Sequence, residues 1–72
     1  VTNRIEIFKT DVENERQAAA LVRLIRDRFA VARVNVDLHD DDKVLRVEGD
    51  FFEPERIVQV VLSAGFYCRL LE

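Results

Sequence analysis

The chain has one cysteine, one histidine and no methionine. A single cysteine cannot close an internal disulfide, which excludes a disulfide-stapled secreted scaffold and makes the reducing cytoplasm the expected compartment. The lack of methionine fits either removal of an initiator ahead of Val1 or excision of this segment from a longer protein. Long apolar runs are also missing. The longest covers residues 18–22, whereas a membrane-spanning helix needs about 20 residues, so no membrane insertion is expected. Residues 1–10 carry no signal-like apolar stretch. Positive charge is in the minority, with 11 Lys and Arg against 14 Asp and Glu and a net charge of -3. A phosphate backbone is bound by clustered cations that release its counterions, so nucleic acid is not an expected partner. One histidine and no Ser-His-acid set leave no basis for acid–base or nucleophilic catalysis, and the chain is not read as an enzyme.

What is present is patterning. At 72 residues, with 49% hydrophobic and 35% charged, the chain has the size and composition of one domain, residues 1–72, with one modest core. Residues 4–9 alternate polar and apolar and predict a strand with Ile5 and Ile7 on the inner face. Over residues 14–29, Ala18, Leu21, Val22, Ile25 and Phe29 recur at three and four, the spacing of an amphipathic helix. Period two returns at residues 32–38 and again at 43–48, with His39-Asp40-Asp41-Asp42 as the intervening turn. Keeping Val34, Val36, Leu45 and Val47 inward lets Arg33 oppose Glu48 in a hairpin. Pro54, flanked by Glu53 and Glu55, starts a second helix. Gly65 ends it, and residues 66–71 form a last strand.

Strand, helix, strand, strand, helix, strand, with right-handed crossovers, predicts an α+β ferredoxin-like βαββαβ sandwich. Its four-stranded antiparallel sheet has the order 4-1-3-2, with both helices on one face and the other face open. Ile7, Leu21, Ile25, Val36, Val47, Ile57 and Val61 are the expected core.

The run Val31-Ala32-Arg33-Val34-Asn35-Val36-Asp37-Leu38, then residues 44–48, Glu53-Pro54-Glu55-Arg56-Ile57-Val58 and Ala64-Gly65-Phe66, together resemble the heavy-metal-associated (HMA) domain family of copper chaperones and copper-ATPase modules. The resemblance covers nearly the whole chain. It implies a Gly-Met-x-Cys-x-x-Cys motif between the first strand and first helix, where two thiolates bind Cu(I) or a similar soft ion. Aligned from Val31, that motif falls on Asp11-Val12-Glu13-Asn14-Glu15-Arg16-Gln17. Val12 keeps the apolar character of the methionine. Asn14 and Gln17 stand at the cysteine positions, and neutral amide oxygens are poor ligands for Cu(I). The scaffold is retained without its metal chemistry, so no metal and no cofactor are expected. Asn14 has a local use instead, capping the first helix with Gln17 three residues on, as in a capping box.

Other chemistry is thinly represented. Cys68 falls on the predicted inner face, where cysteine acts as a small hydrophobe. His39 and Asp40–Asp42 do not match a calcium loop in spacing and read as a solvated hairpin tip. Acylphosphatases share this topology, but their phosphate loop contains glycine, whereas this loop carries Asp11, Glu13 and Glu15. An RNA-binding sheet needs stacked aromatics on its open face. Phe8 and Tyr67 are the candidates there, with Glu6 and Glu48 beside them.

The sequence thus points to a non-catalytic HMA-like domain serving as a protein-interaction or regulatory module. The alternatives are a small-molecule or ion-binding module, a homodimer among its forms, or a transport-related metal domain with non-standard ligands. Two docking surfaces are expected. One is the open sheet face, with Glu6, Arg33, Arg46, Glu48, Tyr67 and Arg69. The other is the first loop and helix start, with Glu13 and Arg16.

Overall fold

The computed structural model describes residues 4–71. Strand β1 (Arg4–Thr10) leads to helix α1 (Glu15–Arg28), the hairpin of β2 (Arg33–Asp37) and β3 (Val44–Gly49), helix α2 (Pro54–Ser63) and strand β4 (Cys68–Leu71). The strands form one sheet of order β2-β3-β1-β4, every neighbouring pair antiparallel. This is the expected order read from the other edge. Arg33 opposes Glu48, as keeping the apolar residues on one face requires.

Each helix is delimited by local chemistry. Asn14, in extended conformation, caps α1, and Arg26 and Arg28 in the last turn suit the negative end of the helix dipole. Pro54 opens α2, where its missing N–H costs nothing. Gly65 closes α2 at φ +95, a region L side chains rarely adopt. From there the Gly65 N–H donates to the Leu62 carbonyl at 3.0 Å and the Phe66 N–H to Val61 at 3.3 Å, the paired bonds of a Schellman ending. The other glycine answers a packing need: a Cβ on Gly49 would sit 3.2 Å from the Val31 Cα.

The core lies between the helices and one face of the sheet. Phe8, Val12, Leu21, Ile25, Leu45, Val47, Ile57 and Val61 are fully buried within it. Val36 is half-buried against this cluster. Ile7 departs from expectation: it is 37% exposed and Ile5 59% exposed, while Phe8 is completely covered. The β1 register explains the inversion. Phe8 stands opposite Leu45 and Leu70, and Glu6 opposite the buried Val47, whereas Ile7 stands opposite Arg46 and Ile5 opposite Glu48. Directly paired residues share a face. Burying Phe8 and Val12 instead of Ile5 and Ile7 is close to neutral in transfer energy, at about 1.5–3 kcal/mol per large side chain. Two further contacts favour the observed phase: Thr10, two residues past Phe8, satisfies its hydroxyl on the Lys43 carbonyl at 2.6 Å, and Val12 seals the core at 0% exposure.

Candidate functional site

The first loop, residues 11–14, leaves the sheet at a heavily bonded residue. The Thr10 N–H donates to the Asp42 carbonyl at 3.0 Å, its hydroxyl to the Lys43 carbonyl, and the Val12 N–H reaches the Thr10 Oγ1 at 3.4 Å. One residue on, Asp11 Oδ1 accepts the Tyr67 N–H at 2.8 Å, tying the loop to the segment that enters β4. Val12, at the position of the family's methionine, is buried beneath the loop.

The two positions that carry thiolates in the resembling family are used here by the helix. Asn14 Oδ1 accepts the Gln17 N–H at 2.8 Å, the expected N-cap bond. Gln17 Oε1 returns, but to the Glu13 N–H at 2.8 Å rather than to Asn14 itself. The capping box is therefore displaced by one residue. Each amide oxygen holds a backbone donor, so liganding a cation would compete with the start of α1. Glu13 and Arg16 are exposed beside this cap.

The thiol lies elsewhere. Cys68 faces Thr10 across the β1–β4 ladder, on the core side, and is 5% exposed. Burial pushes its thiol up to about 11 from an ordinary 9.0, so it stays protonated near neutral pH and is a poor nucleophile and ligand. At the hairpin tip the carboxylates serve the turn: Asp37 Oδ1 accepts the His39 N–H at 3.0 Å, Asp40 Oδ1 accepts the Asp42 N–H at 2.8 Å, and Asp42 pairs with Lys9 at 3.3 Å. Among the described residues no group of three or more His, Cys, Asp or Glu side chains is placed to hold a metal ion.

The open sheet face differs in membership from the expected one. Arg33, Arg46, Glu48 and Arg69 are on it by register. Glu6 is not. It shares the helix-facing side with Val47 and Phe8, where its carboxylate pairs with Arg4 at 2.7 Å. Phe8 is in the core, which removes one of the two rings an RNA-binding face needed. Tyr67, 46% exposed, precedes β4 and engages the first loop through its backbone. In place of Glu6 and Phe8 the face carries Ile5, Ile7 and Lys9. Its rows read Arg33–Glu48–Ile5, then Asn35–Arg46–Ile7–Leu71, then Asp37–Val44 and Lys9–Arg69. An apolar pair on a central strand thus sits among four cations and two carboxylates, Glu48 and Asp37. Lys9 and Arg69 stand directly opposite each other, a like-charge contact that the Lys9–Asp42 pair at 3.3 Å offsets in part. Arg46 is partly neutralised, 3.9 Å from Asp37 and bonded to Asn35 Oδ1 at 3.4 Å.

No protein-family pattern matches the sequence, and no curated protein matches it. The fold has clear counterparts among solved structures. Oxidized MerP from Ralstonia metallidurans CH34 superposes with a TM-score of 0.83 at 11% identity, covering 99% of this chain and 100% of that one. The CsoZ metallochaperone superposes with a TM-score of 0.78 at 18% identity, with the same coverage. The fold is that of an HMA-like domain, and the paired cysteines of the motif are missing from it. No helix among the described residues is long and apolar enough to cross a membrane.

Proposed function

We propose that this domain is a non-catalytic protein-interaction module, built on a metal-carrier scaffold without its thiolates, that docks an acidic partner through the open sheet face. The observation that carries this reading is the pair Ile5 and Ile7, exposed on a central strand and flanked by Lys9, Arg33, Arg46 and Arg69. An apolar centre with a charged rim is the usual anatomy of a recognition patch. Four cations against the two carboxylates Glu48 and Asp37 leave the patch net positive on a chain of net charge -3, which favours a partner of opposite sign. A regulatory role would operate through the same contact.

The test is comparative affinity capture followed by reconstitution with the purified partner. Arg46→Glu and Arg69→Glu should each weaken the complex, most strongly at low salt, and leave the fold intact. Glu13→Lys and Arg16→Glu, on the first loop and helix start, should leave binding unchanged. Loss with the loop pair and retention with the sheet pair would reject the sheet face and favour docking through the loop.

The likeness to a metallochaperone favours a second reading, metal carriage through non-thiol ligands. The hydrogen bonds already held by Asn14 and Gln17 weigh against it.

A further inference from the structure

At the end of the molecule formed by the last turn of α1 and the segment joining β3 to α2 lies an open surface cleft of about 500 Å3. It falls within the usual range for small-molecule sites, roughly 300–1,000 Å3. Its lining includes Arg28 and Arg56, Asp50 and Glu53, and the rings of Phe29 and Phe51. Phe51 is 92% exposed and offers its ring at the edge of this site as apolar surface open to a ligand. A third cation, Arg4, is already committed. Its guanidinium pairs with Glu6, donates to the Phe52 carbonyl at 3.4 Å and lies 5.7 Å from the Phe52 ring centroid.

The remaining charges are unspent. Among the described residues Arg28, Arg56, Asp50 and Glu53 make no salt bridge, although all four line one cleft. Glu53 occupies the N-cap of α2 without a side-chain cap bond, and Asp50 keeps one carboxylate oxygen covered and without a partner. Two guanidinium groups and two carboxylates that line one cleft without pairing with each other, beside the rings of Phe29 and Phe51, suit neither a simple anion nor a simple cation. A ligand carrying both signs satisfies both pairs, and an apolar body covers Phe51.

We propose that this cleft binds a small zwitterion with an apolar side chain, in chemical terms an α-amino acid, with its carboxylate on Arg28 and Arg56, its ammonium on Asp50 and Glu53, and its side chain against Phe51. The site is separate from the open sheet face, and its test does not depend on a protein partner.

The experiment is an amide-resolved NMR titration of the uniformly 15N-labelled protein with L-phenylalanine up to roughly 10 mM, a concentration that saturates a site with Kd near 1 mM. Saturating shifts at Arg28, Phe29, Asp50–Glu53 and Arg56 are expected. 3-Phenylpropionate and phenethylamine, each keeping the ring and one charge, should bind at least about tenfold more weakly, since each leaves two charges of the site unmatched. Arg28→Gln, Arg56→Gln and Phe51→Ala alter exposed side chains and should weaken L-phenylalanine while preserving the rest of the spectrum. No shift up to that concentration, shifts centred elsewhere, or equal binding of 3-phenylpropionate would each overturn the proposal, the last by reducing the cleft to an anion site.

Discussion

Asp11 Oδ1 accepts the backbone N–H of Tyr67 at 2.8 Å, joining positions 56 apart in the chain. This bond fixes the first loop against the start of β4. Asp11→Ala should lower unfolding free energy by about 1 kcal/mol, the usual net value of one such bond. Asp11→Asn keeps an acceptor and should lie near the parent in urea denaturation. Equal losses for both variants would mean that charge, not the hydrogen bond, holds the loop.

The amide oxygens of Asn14 and Gln17 already hold backbone donors, so Cu(I) and Zn(II) are not expected to bind stoichiometrically at the first loop. Anaerobic titration against a competing chelator measures this. Tight one-to-one binding abolished by Asn14→Ala would contradict it, and loss only in Cys68→Ala would point to the buried thiol. The double change Asn14→Cys, Gln17→Cys should create soft-metal binding, because the loop path and Val12 anchor are in place. It should cost about 1 kcal/mol of metal-free stability through the lost cap.

The inversion of β1 yields a contrast between apolar truncations. Leu21→Ala or Ile57→Ala, each at a fully buried site, should cost roughly 2–5 kcal/mol, enough to threaten cooperative folding in so small a domain. Ile7→Ala should cost less, about 1–2 kcal/mol, since that side chain is 37% exposed and only partly withdrawn from water. Comparable losses at Ile7 and Leu21 would show that the open face is covered in solution.

Cys68 makes stability depend on alkaline pH. Its thiol is pushed up to about 11 in the folded protein from an ordinary 9.0, the cause being burial. Between those values the unfolded chain releases the proton and the folded chain keeps it. The folded state then holds more protons, so unfolding free energy falls as pH rises from 9 toward 11. Denaturation midpoints across that window should decline more steeply for the parent than for Cys68→Ala. Parallel slopes would mean the thiol titrates normally.

Much of this architecture is legible in the residues because several signals agree. Residues 14–29 combine a capping asparagine, helical apolar spacing and a basic last turn, and the observed helix ends within a residue of that reading. The hairpin is equally overdetermined, since Val34, Val36, Leu45 and Val47 exclude every one-residue slip and the turn at residues 38–43 selects the observed register. Strand β1 is not. Its apolar residues fall on both parities, Ile5 and Ile7 against Phe8, so alternation within the strand cannot choose the face. The deciding contacts, Thr10 with Lys43 and Phe8 beside Leu45 and Leu70, are made by distant segments. The same limit hides the cleft, whose walls come from Arg28 and Phe29 on one side and residues 50–56 on the other. The N-cap role of Asn14 is local and readable, whereas the return of Gln17 to Glu13 instead of Asn14 is a detail of side-chain geometry.

Where a metal ion organises its own loop, binding energy and folding energy are one quantity, and scarcity of the ion unfolds the site. The bonds made by Thr10 and Asp11, with Val12 in the core, give this loop its order from the sheet and hairpin instead. The shape presented by residues 11–17 is therefore constitutive. It is set when the chain folds, and it is expected to be unchanged by a chelator.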